Sequence, residues 1–223
     1  MNSKTENLVL LGGRDLAIEV ICYLNDIAAT HPNKVLGIVD PGNPRIADAE
    51  RILGYSISHW DNFESVDVTD VKFVTTVADA ARREKIRREV AAADGQLFSV
   101  IHPTAYVATT ANIGAGTIIG PFAFVGPMAT LGANCVLNTY ASVGHDAEVG
   151  PSSNLSPYAA LNGTSKCGRA CFLGSQAVVS PSIILGSNSK LSAGSILTRN
   201  TEDNSLAVGN PAKSRVMFRP LSD

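Results

Sequence analysis

In the second half of the chain, one pattern of apolar, small and polar residues repeats every six positions. The seventeen positions reached in steps of six from Ile101 to Leu197 are all aliphatic, except for Cys167. The residue two positions earlier is usually small, as at Ala141, and a glycine often follows the aliphatic residue, as at Gly144. A period of six matches neither the turn of an α-helix (about 3.6 residues) nor the simple alternation of a long strand.

Short strands separated by tight corners account for this period. Each strand would point one aliphatic side chain inward, the small residue would pack beside the corner, and glycine or asparagine would suit the turn. Three such strands close a triangular coil of about 18 residues, and successive coils stack at the sheet spacing of about 4.8 Å. The 97 residues from 101 to 197 therefore predict about 5.4 coils of a parallel β-helix.

The first hundred residues instead alternate between strand-like and helix-like patterns, which predicts a small Rossmann-like parallel sheet. The expected strands are residues 7–13, 35–40 and 71–77, the expected helices are 15–25 and 79–93, and residues 96–101 lead into the coils. We therefore expect an α/β domain over residues 1–98, an all-β domain over 99–200 and a C-terminal tail over 201–223.

Glycines and one acid follow the predicted strands. Ligands of such sheets lie beyond the carboxyl ends of the strands, which here means close to Gly12, Gly13 and Asp40. The segment GGRDLA lacks the GxGxxG spacing, so a dinucleotide cofactor is not supported, and a plain strand-to-helix turn would need the same glycines. The arginines at 82, 83, 87 and 88 predict a solvated helix face.

Charge is distributed unevenly, and this narrows the function classes. Only six of the 38 charged residues fall among the 102 residues from 99 to 200, as expected for a core of stacked aliphatic ladders. Gly, Ser, Thr, Asn or Pro interrupts every apolar run, which excludes a transmembrane helix. The N-terminus carries charges of both signs, unlike a signal peptide. The net charge of −2 and the lack of a basic run argue against a nucleic-acid partner.

The cysteines and histidines limit the metal and redox chemistry. The cysteines contain no CxxC pair, so buried, reduced thiols and a cytoplasmic location are expected for Cys22, Cys135, Cys167 and Cys171. Only two of the four histidines, His102 and His145, lie in or beside the coils, which disfavours a three-histidine zinc site, and no metal is expected. His102, at the entry to the coils, is interpreted as structural.

His145 is the candidate for chemistry. It follows Gly144 at a predicted corner and is followed by Asp146, while the position one coil later is Gly163. Stacking would place a residue without a side chain over the imidazole and leave room for a reacting group. A neutral imidazole can take a proton near pH 7, and an adjacent carboxylate can orient it and stabilise the imidazolium. The alternative is a corner histidine that only faces solvent.

Several segments together resemble a known family. The α/β pattern, HPTAYV at 102–107, the six-residue repeats, LNTYASVGHD at 137–146 and VGNPAK at 208–213 are similar to the NeuD/PglD-type nucleotide-amino-sugar N-acetyltransferases. The resemblance covers nearly the whole chain, and its most specific motifs are the His-Asp dipeptide and VGNPA. It implies a left-handed parallel β-helix, acetyl-CoA as the co-substrate, and a homotrimer whose active sites lie between neighbouring subunits.

The resemblance also implies residue roles. His145 would deprotonate the amine of a nucleotide-linked amino sugar, such as a 4-amino-4,6-dideoxy hexose used in glycan or O-antigen synthesis, with help from Asp146. The expected substrate-binding residues are Gly12, Gly13, Arg14, Asp40 and Asn138. The expected acetyl-CoA contacts are Asn154, the Gly163 amide, backbone groups at Ser175 and Ala193, and the closing segment from Gly209 to Lys213.

Three positions depart from the family pattern. The first loop usually reads GxGGHA, but this chain has Leu16 at the histidine position, and Pro41 follows Asp40 where a second acid is usual. Both changes fall in the nucleotide-sugar pocket. The third is Asn154, where some family members have a second histidine, so His145 would carry the proton transfer alone.

Two alternatives remain open on the sequence. An O-acetyltransferase acting on a sugar or serine hydroxyl could use the same histidine and aspartate, although the N-terminal domain favours a nucleotide sugar over serine. A non-catalytic trimeric β-helix that only binds partners would need neither residue.

Overall fold

The computed structural model describes residues 5–217 and residue 219. The N-terminal part is an α/β unit in which five parallel strands lie in the order β3-β2-β1-β4-β5. Its elements are β1 (Glu6–Leu11), α1 (Asp15–Ile27), β2 (Asn33–Val39), α2 (Ile46–Leu53), β3 (Ser58–Trp60), a 3₁₀ turn (Phe63–Ser65), β4 (Lys72–Thr75), α3 (Ala80–Ala92) and β5 (Gln96–Leu97).

The expected α/β alternation is confirmed, but α2 and β3 were missed. Ala49 is the one buried side chain of α2, and β3 has no buried residue. Periodicity can reveal an element only when a face is buried, so these two left no signal in the sequence.

The rest of the described chain is a parallel β-helix of three sheets. Sheet I contains β7 (Tyr106–Val107), β10 (Phe124–Val125), β13 (Ser142–Val143), β16 (Ala160–Leu161), β19 (Val178–Val179) and β22 (Ile196–Leu197). Sheet II contains β8 (Asn112–Ile113), β11 (Thr130–Leu131), β14 (Glu148–Val149), β17 (Lys166–Cys167) and β20 (Ile184–Leu185). Sheet III contains β6 (Val100–Ile101), β9 (Ile118–Ile119), β12 (Val136–Leu137), β15 (Asn154–Leu155), β18 (Phe172–Leu173), β21 (Lys190–Leu191), β23 (Ser205–Gly209) and β24 (Ala212–Val216).

The aliphatic series is the core of the β-helix. From Ile119 to Leu197 every member of the series is at most 3% exposed, whereas Ile101, in the first coil with no coil beneath it, is 38% exposed. Cys135, Cys167 and Cys171 are buried as expected, but Cys22 lies on the exposed side of α1, so the expectation of a buried thiol was wrong there.

The glycines that follow the aliphatic residues have a different role from the one expected. The left-handed backbone of each corner falls two residues later, for example at Tyr140 (φ 58°) and Asp146 (φ 57°). The glycines allow one coil to lie close to the next instead. A Cβ at Gly144 would lie 2.6 Å from the backbone nitrogen of Gly163, closer than non-bonded atoms approach.

Arg83 of α3 connects the α/β unit to a corner between sheets II and III. It is fully buried, so the expected solvated face was wrong at this position. Its guanidinium donates to the carbonyls of Thr75 (2.7 Å) and Val77 (3.0 Å), and to both the backbone and side-chain oxygens of Asn134. Burial lowers the pKa of Arg83 to about 10, so the side chain remains a cation at neutral pH.

Glu84 makes a second contact between the α/β unit and the β-helix. Its carboxylate accepts hydrogen bonds from Arg87, from Arg88 and from the Ser152 hydroxyl of the β-helix. Burial alone would raise the pKa of Glu84, but these hydrogen bonds and the charge of Arg87 lower it to about 2.

Replacing Glu84 with glutamine is therefore expected to destabilise the protein in a pH-dependent way. The folded-state pKa of about 2 lies below the ordinary value of 4.5, so the carboxylate stabilises the fold above pH 4.5 and loses this effect as the pH falls towards 2. In urea unfolding at pH 7, the Glu84→Gln variant should have a lower free energy of unfolding than the wild type. This difference should shrink as the pH falls from 4.5 towards 2. If the difference in the free energy of unfolding does not depend on pH, the stabilising role of the ionised Glu84 carboxylate is wrong.

His102 and Asn154 complete the contact between the two parts. His102 is 8% exposed and lies between Thr104 Oγ1 (2.8 Å) and Asp26 Oδ2 (3.1 Å), which fits its structural interpretation. Asn154 donates from Nδ2 to the Ala78 carbonyl at 2.7 Å. In the described part of the chain, no helix has the length and apolar character needed to cross a membrane.

Candidate active site

The corner between sheets I and II carries His145 and Asp146. Their side chains are more than half exposed, and His145 Nδ1 lies 2.8 Å from Asp146 Oδ2. A carboxylate accepts, so this contact assigns the proton of the neutral imidazole to Nδ1 and leaves the lone pair on Nε2. The left-handed φ of Asp146 turns the chain sharply at this point and brings the two adjacent side chains together.

Gly163 lies over the imidazole, as the 18-residue spacing predicts. A Cβ at Gly163 would overlap His145 Nε2 and would lie 2.8 Å from Cε1. The backbone also connects the two coils here, since Thr164 N donates to the His145 carbonyl at 2.9 Å. The imidazole can therefore occupy this position only because residue 163 has no side chain.

Replacing Gly163 with alanine is expected to displace the imidazole and lower activity by about 10-fold or more, since small misplacements of catalytic groups are costly. The measurement is kcat with saturating substrates, beside a melting curve that reports folding. Ser182→Ala, a change on the next coil of the same corner, is the control. Unchanged kcat in a folded Gly163→Ala protein would contradict the importance of this space.

Asn138, Ser175 and Ala193 lie on a different corner, between sheets III and I. Asn138 Oδ1 accepts from Thr139 N at 2.7 Å, and the Ser175 carbonyl accepts from Gly194 N at 2.9 Å. Sheet I separates this corner from His145, a distance of up to about 20 Å for six extended residues. Within one chain, the structure does not bring these residues to the imidazole.

Asn154 is 4% exposed, and its Nδ2 already donates a hydrogen bond to the Ala78 carbonyl. Its Oδ1 is buried and has no hydrogen-bond partner within the described residues. Its observed role is to hold the loop that follows β4, and its contact with acetyl-CoA stays a prediction.

The predicted nucleotide-sugar residues meet where β1 and β2 end. Asp40 is 4% exposed, and its two oxygens accept from Gly13 N and Gly42 N, each at 2.8 Å. Burial alone would raise the pKa of Asp40, but these backbone donors, with the nearby cations Arg82 and Arg14, lower it below its usual value. An ionised Asp40 therefore fixes the shape of the glycine loop.

Gly12 is required by the same loop. It has φ 114°, and a Cβ there would lie 2.7 Å from Val77 Cγ2 and 2.9 Å from the Thr76 carbonyl oxygen. A cavity of about 200 Å³ opens beside it and is lined by residues 12–16, 40, 76–78 and 82. Arg14, Asp15 and Leu16 lie here at the start of α1, where a helix N-terminus favours negative ligand groups.

Gly209 and Lys213 belong to the antiparallel hairpin formed by β23 and β24, in which Val208 pairs with Lys213. Both predicted residues are exposed, so the hairpin offers an open surface at the last coil. Residues 218 and 220–223 of the predicted tail lie outside the described residues.

Sequence reasoning missed a set of exposed aromatic rings along sheet I and its corner with sheet III. Two stacks are present, Tyr106 on Phe124 and Phe122 on Tyr140 on Tyr158, with ring centroids 5.0–5.2 Å apart. All five rings are at least 42% exposed. The 18-residue spacing within each stack was the signal that could have revealed them.

Comparison with solved structures finds proteins of similar architecture. Perosamine N-acetyltransferase from Caulobacter crescentus, a His→Asn mutant in complex with CoA and GDP-perosamine, is 25% identical with a TM-score of 0.78. The match covers 94% of this chain and 96% of that one. A family profile described as the hexapeptide repeat of succinyl-transferase matches residues 167–199. Over most of its length, the chain is similar to hexapeptide-repeat acyltransferases.

Further solved structures share the fold. The acetyltransferase domain of PglB from Neisseria gonorrhoeae is 24% identical with a TM-score of 0.82, covering 93% of this chain and 98% of that one. WeeI from Acinetobacter baumannii is 19% identical with a TM-score of 0.80, covering 95% and 100%. A comparison with curated proteins gives no match. The expected family resemblance and enzyme class are confirmed, and the fold is consistent with the left-handed β-helix.

The described residues include no group of three or more His, Cys, Asp or Glu side chains that could hold a metal ion. The Cys135 thiol is unsuited to catalysis, since burial raises its pKa to about 12. His145 is an exposed imidazole on the β-helix.

Proposed function

We propose that the protein is an acetyl-CoA-dependent N-acetyltransferase that acetylates the amino group of a nucleotide-linked amino sugar. The observation that carries this proposal is the His145 imidazole, paired with Asp146 through Nδ1 and open at Nε2 under Gly163. The perosamine N-acetyltransferase in complex with CoA and GDP-perosamine, at 25% identity, supports both substrate classes.

The proposed reaction is a direct transfer. The amine nitrogen attacks the thioester carbonyl, a C–N bond forms and the C–S bond breaks. His145 Nε2 takes a proton from the amine, and the imidazolium returns it to the departing thiolate to give CoA. Asp146 stabilises the imidazolium through Nδ1, and the Gly163 N–H would donate to the carbonyl oxygen as negative charge develops there.

The α/β unit would hold the nucleotide sugar. Its strand order reverses direction between β1 and β4, and ligands of open parallel sheets bind at such a switch point. Gly12, Gly13, Arg14 and Asp40 line or shape the cavity there, so a Rossmann-like nucleotide-binding domain over residues 1–98 is part of the proposal. The β-helix domain (99–200) would supply the base, and the tail (201–223) would cover CoA.

The active site would lie between protomers of a trimer. The α/β unit packs on sheet III and its corners, whereas His145 lies on the opposite corner of the triangular coil. One chain therefore cannot bring its own nucleotide pocket to its own base. In a trimer, His145 of one protomer would face Asn138, Ser175 and Ala193 of the next, and the exposed aromatic stacks supply an apolar surface for this contact.

Mixed trimers test this arrangement. His145→Ala chains and Arg82→Ala chains, each defective alone, are expected to regain about a quarter of wild-type activity when co-expressed in equal amounts, because a quarter of the sites then combine intact residues of two chains. The assay is kcat of the purified mixture. No recovery above the separate variants would place both residues in one chain's site.

The decisive experiment for the function is a CoA-release assay with acetyl-CoA and UDP-, dTDP- or GDP-linked 4-amino sugars. Turnover of at least one amino sugar, lost in His145→Ala, is the expected result. Turnover only with hydroxyl acceptors would identify an O-acetyltransferase instead, and no turnover with any nucleotide amino sugar would overturn the proposal.

A further inference from the structure

A second and larger cavity adjoins the proposed nucleotide pocket. It has a volume of about 430 Å³ and lies where β1 and β2 end, between α3 and the loop that follows β3. Six of its thirteen lining residues have apolar side chains, namely Leu11, Val39, Pro41, Phe63, Ile86 and Val90. Phe63 is held in place by an edge-to-face contact with Phe73, with ring centroids 5.1 Å apart. An apolar slot of this kind suits a flat aromatic ring.

The two cavities are neighbours. Gly12 and Arg82 line both of them, so a ligand that spans the glycine loop could contact both cavities. Arg14 lines the smaller cavity and Arg82 lines both, so two cations lie beside that loop. A diphosphate over Gly12 would meet both cations and the N-terminus of α1, which leaves the base in the larger cavity.

The polar side chains of the larger cavity include the donors Arg82 and Lys85 as well as carboxylates. Asp61 and Glu64 line it, both are exposed, and within the described chain neither carboxylate has a hydrogen bond or an ion pair. Asn62 between them already accepts from Ser65 through its Oδ1. The cation Lys85 is paired with Glu89 at 3.5 Å. Two free carboxylates are thus the acceptors available to a base.

The nucleobases differ in what they offer a carboxylate. Guanine presents the adjacent donors N1–H and N2–H₂ on one edge, which match the two oxygens of a carboxylate. Uracil and thymine present a single N3–H between two carbonyl oxygens that a carboxylate would repel. Adenine presents its amino group beside the acceptor N1, so one carboxylate oxygen would face a lone pair.

We propose that the nucleotide part of the substrate is a guanosine diphosphate, with its base in the larger cavity and its N1–H and N2–H₂ edge bound by Asp61 or Glu64. The inference rests on the proposed function and names the substrate class of that site. The two carboxylates are specificity-determining residues and lie outside the acetyl-transfer chemistry.

Calorimetric titration of the full chain with GDP, UDP, dTDP and ADP tests the proposal directly. GDP is expected to bind at least about 10-fold more tightly than the other three, as one or two hydrogen bonds to a charged group allow. In the double variant Asp61→Asn with Glu64→Gln, GDP affinity should fall and UDP affinity should stay the same or rise, so that the guanine preference is lost. Both positions are exposed, so the variant should fold. Asp67→Asn, on the same loop but outside the cavity, is the matched control.

Each possible result of these titrations supports or overturns the guanine assignment. Loss of the guanine preference in the double variant supports the proposal, and the single variants then show which carboxylate is responsible. Equal affinity for all four nucleotides, tighter binding of another one, or a guanine preference that survives the double substitution would overturn it. If UDP- or dTDP-linked amino sugars are turned over instead, the N-acetyltransferase function stands and only the guanine assignment fails. If no nucleotide binds and no amino sugar is turned over, both proposals fail.

Discussion

Replacing His145 with alanine is expected to lower kcat by about 10²–10⁴-fold, the usual contribution of a positioned general base. The variant removes the Nε2 lone pair that would take the amine proton. It also removes the group that Asp146 holds at 2.8 Å, so the carboxylate alone remains at the corner. KM for both substrates should change little, because neither binding pocket depends on the imidazole. The measurement is steady-state CoA release, with each substrate varied in turn.

The control for this prediction is His31→Ala. His31 is exposed in the α/β unit and contacts only Thr30 through its ring, so its removal should leave kcat unchanged. Because the imidazole is exposed at a corner, His145→Ala should retain the melting temperature of the wild type. A folded His145→Ala protein with wild-type kcat would show that the histidine only faces solvent, and the proposed mechanism would be wrong.

The β-helix was predictable to the residue because its rule is local and strict. Each coil buries an apolar side chain at every sixth position, so the series from Ile119 to Leu197, aliphatic except for Cys167, appears directly in the sequence. The same rule predicted that Gly163 lies over His145, since residues 18 apart are paired throughout the sheets. The expected left-handed role is confirmed for Gly116 (φ 74°) and Gly194 (φ 66°). It was wrong for the glycines that directly follow the aliphatic residues, which allow close packing of the coils instead.

The assembly of the site was harder to predict, because it depends on contacts between distant segments. Arg83 has charged neighbours and the spacing of a surface helix, and nothing local shows that its guanidinium reaches Asn134, 51 residues away. The resemblance grouped His145, Ser175 and Asp40 as one site. The fold places them on three different parts of the chain, and the proposed trimer would bring them together from neighbouring protomers.

Replacing Arg83 with methionine is expected to lower the free energy of unfolding by about 3–5 kcal/mol, because a buried donor group is lost and several buried carbonyls remain unsatisfied. Five hydrogen bonds disappear, to Thr75, Val77 and Asn134. The measurement is urea unfolding. Arg51→Met is the matched control, because Arg51 is 76% exposed and its ion pair with Asp48 should contribute little.

The same substitution should affect the proposed nucleotide pocket before it affects acetyl transfer. Arg83 holds the carbonyls on both sides of Thr76, and the Thr76 hydroxyl donates to the Gly12 carbonyl at 2.6 Å. Loosening this loop changes the wall beside Gly12, whereas His145 lies on the far corner of the β-helix. In conditions where Arg83→Met is folded, KM for the nucleotide sugar should rise by about 10-fold or more with KM for acetyl-CoA nearly unchanged. Arg83→Lys should restore part of this loss, since an ammonium can still donate to the Thr75 or Val77 carbonyl. An equal rise in both KM values would mean that Arg83 acts only through overall stability.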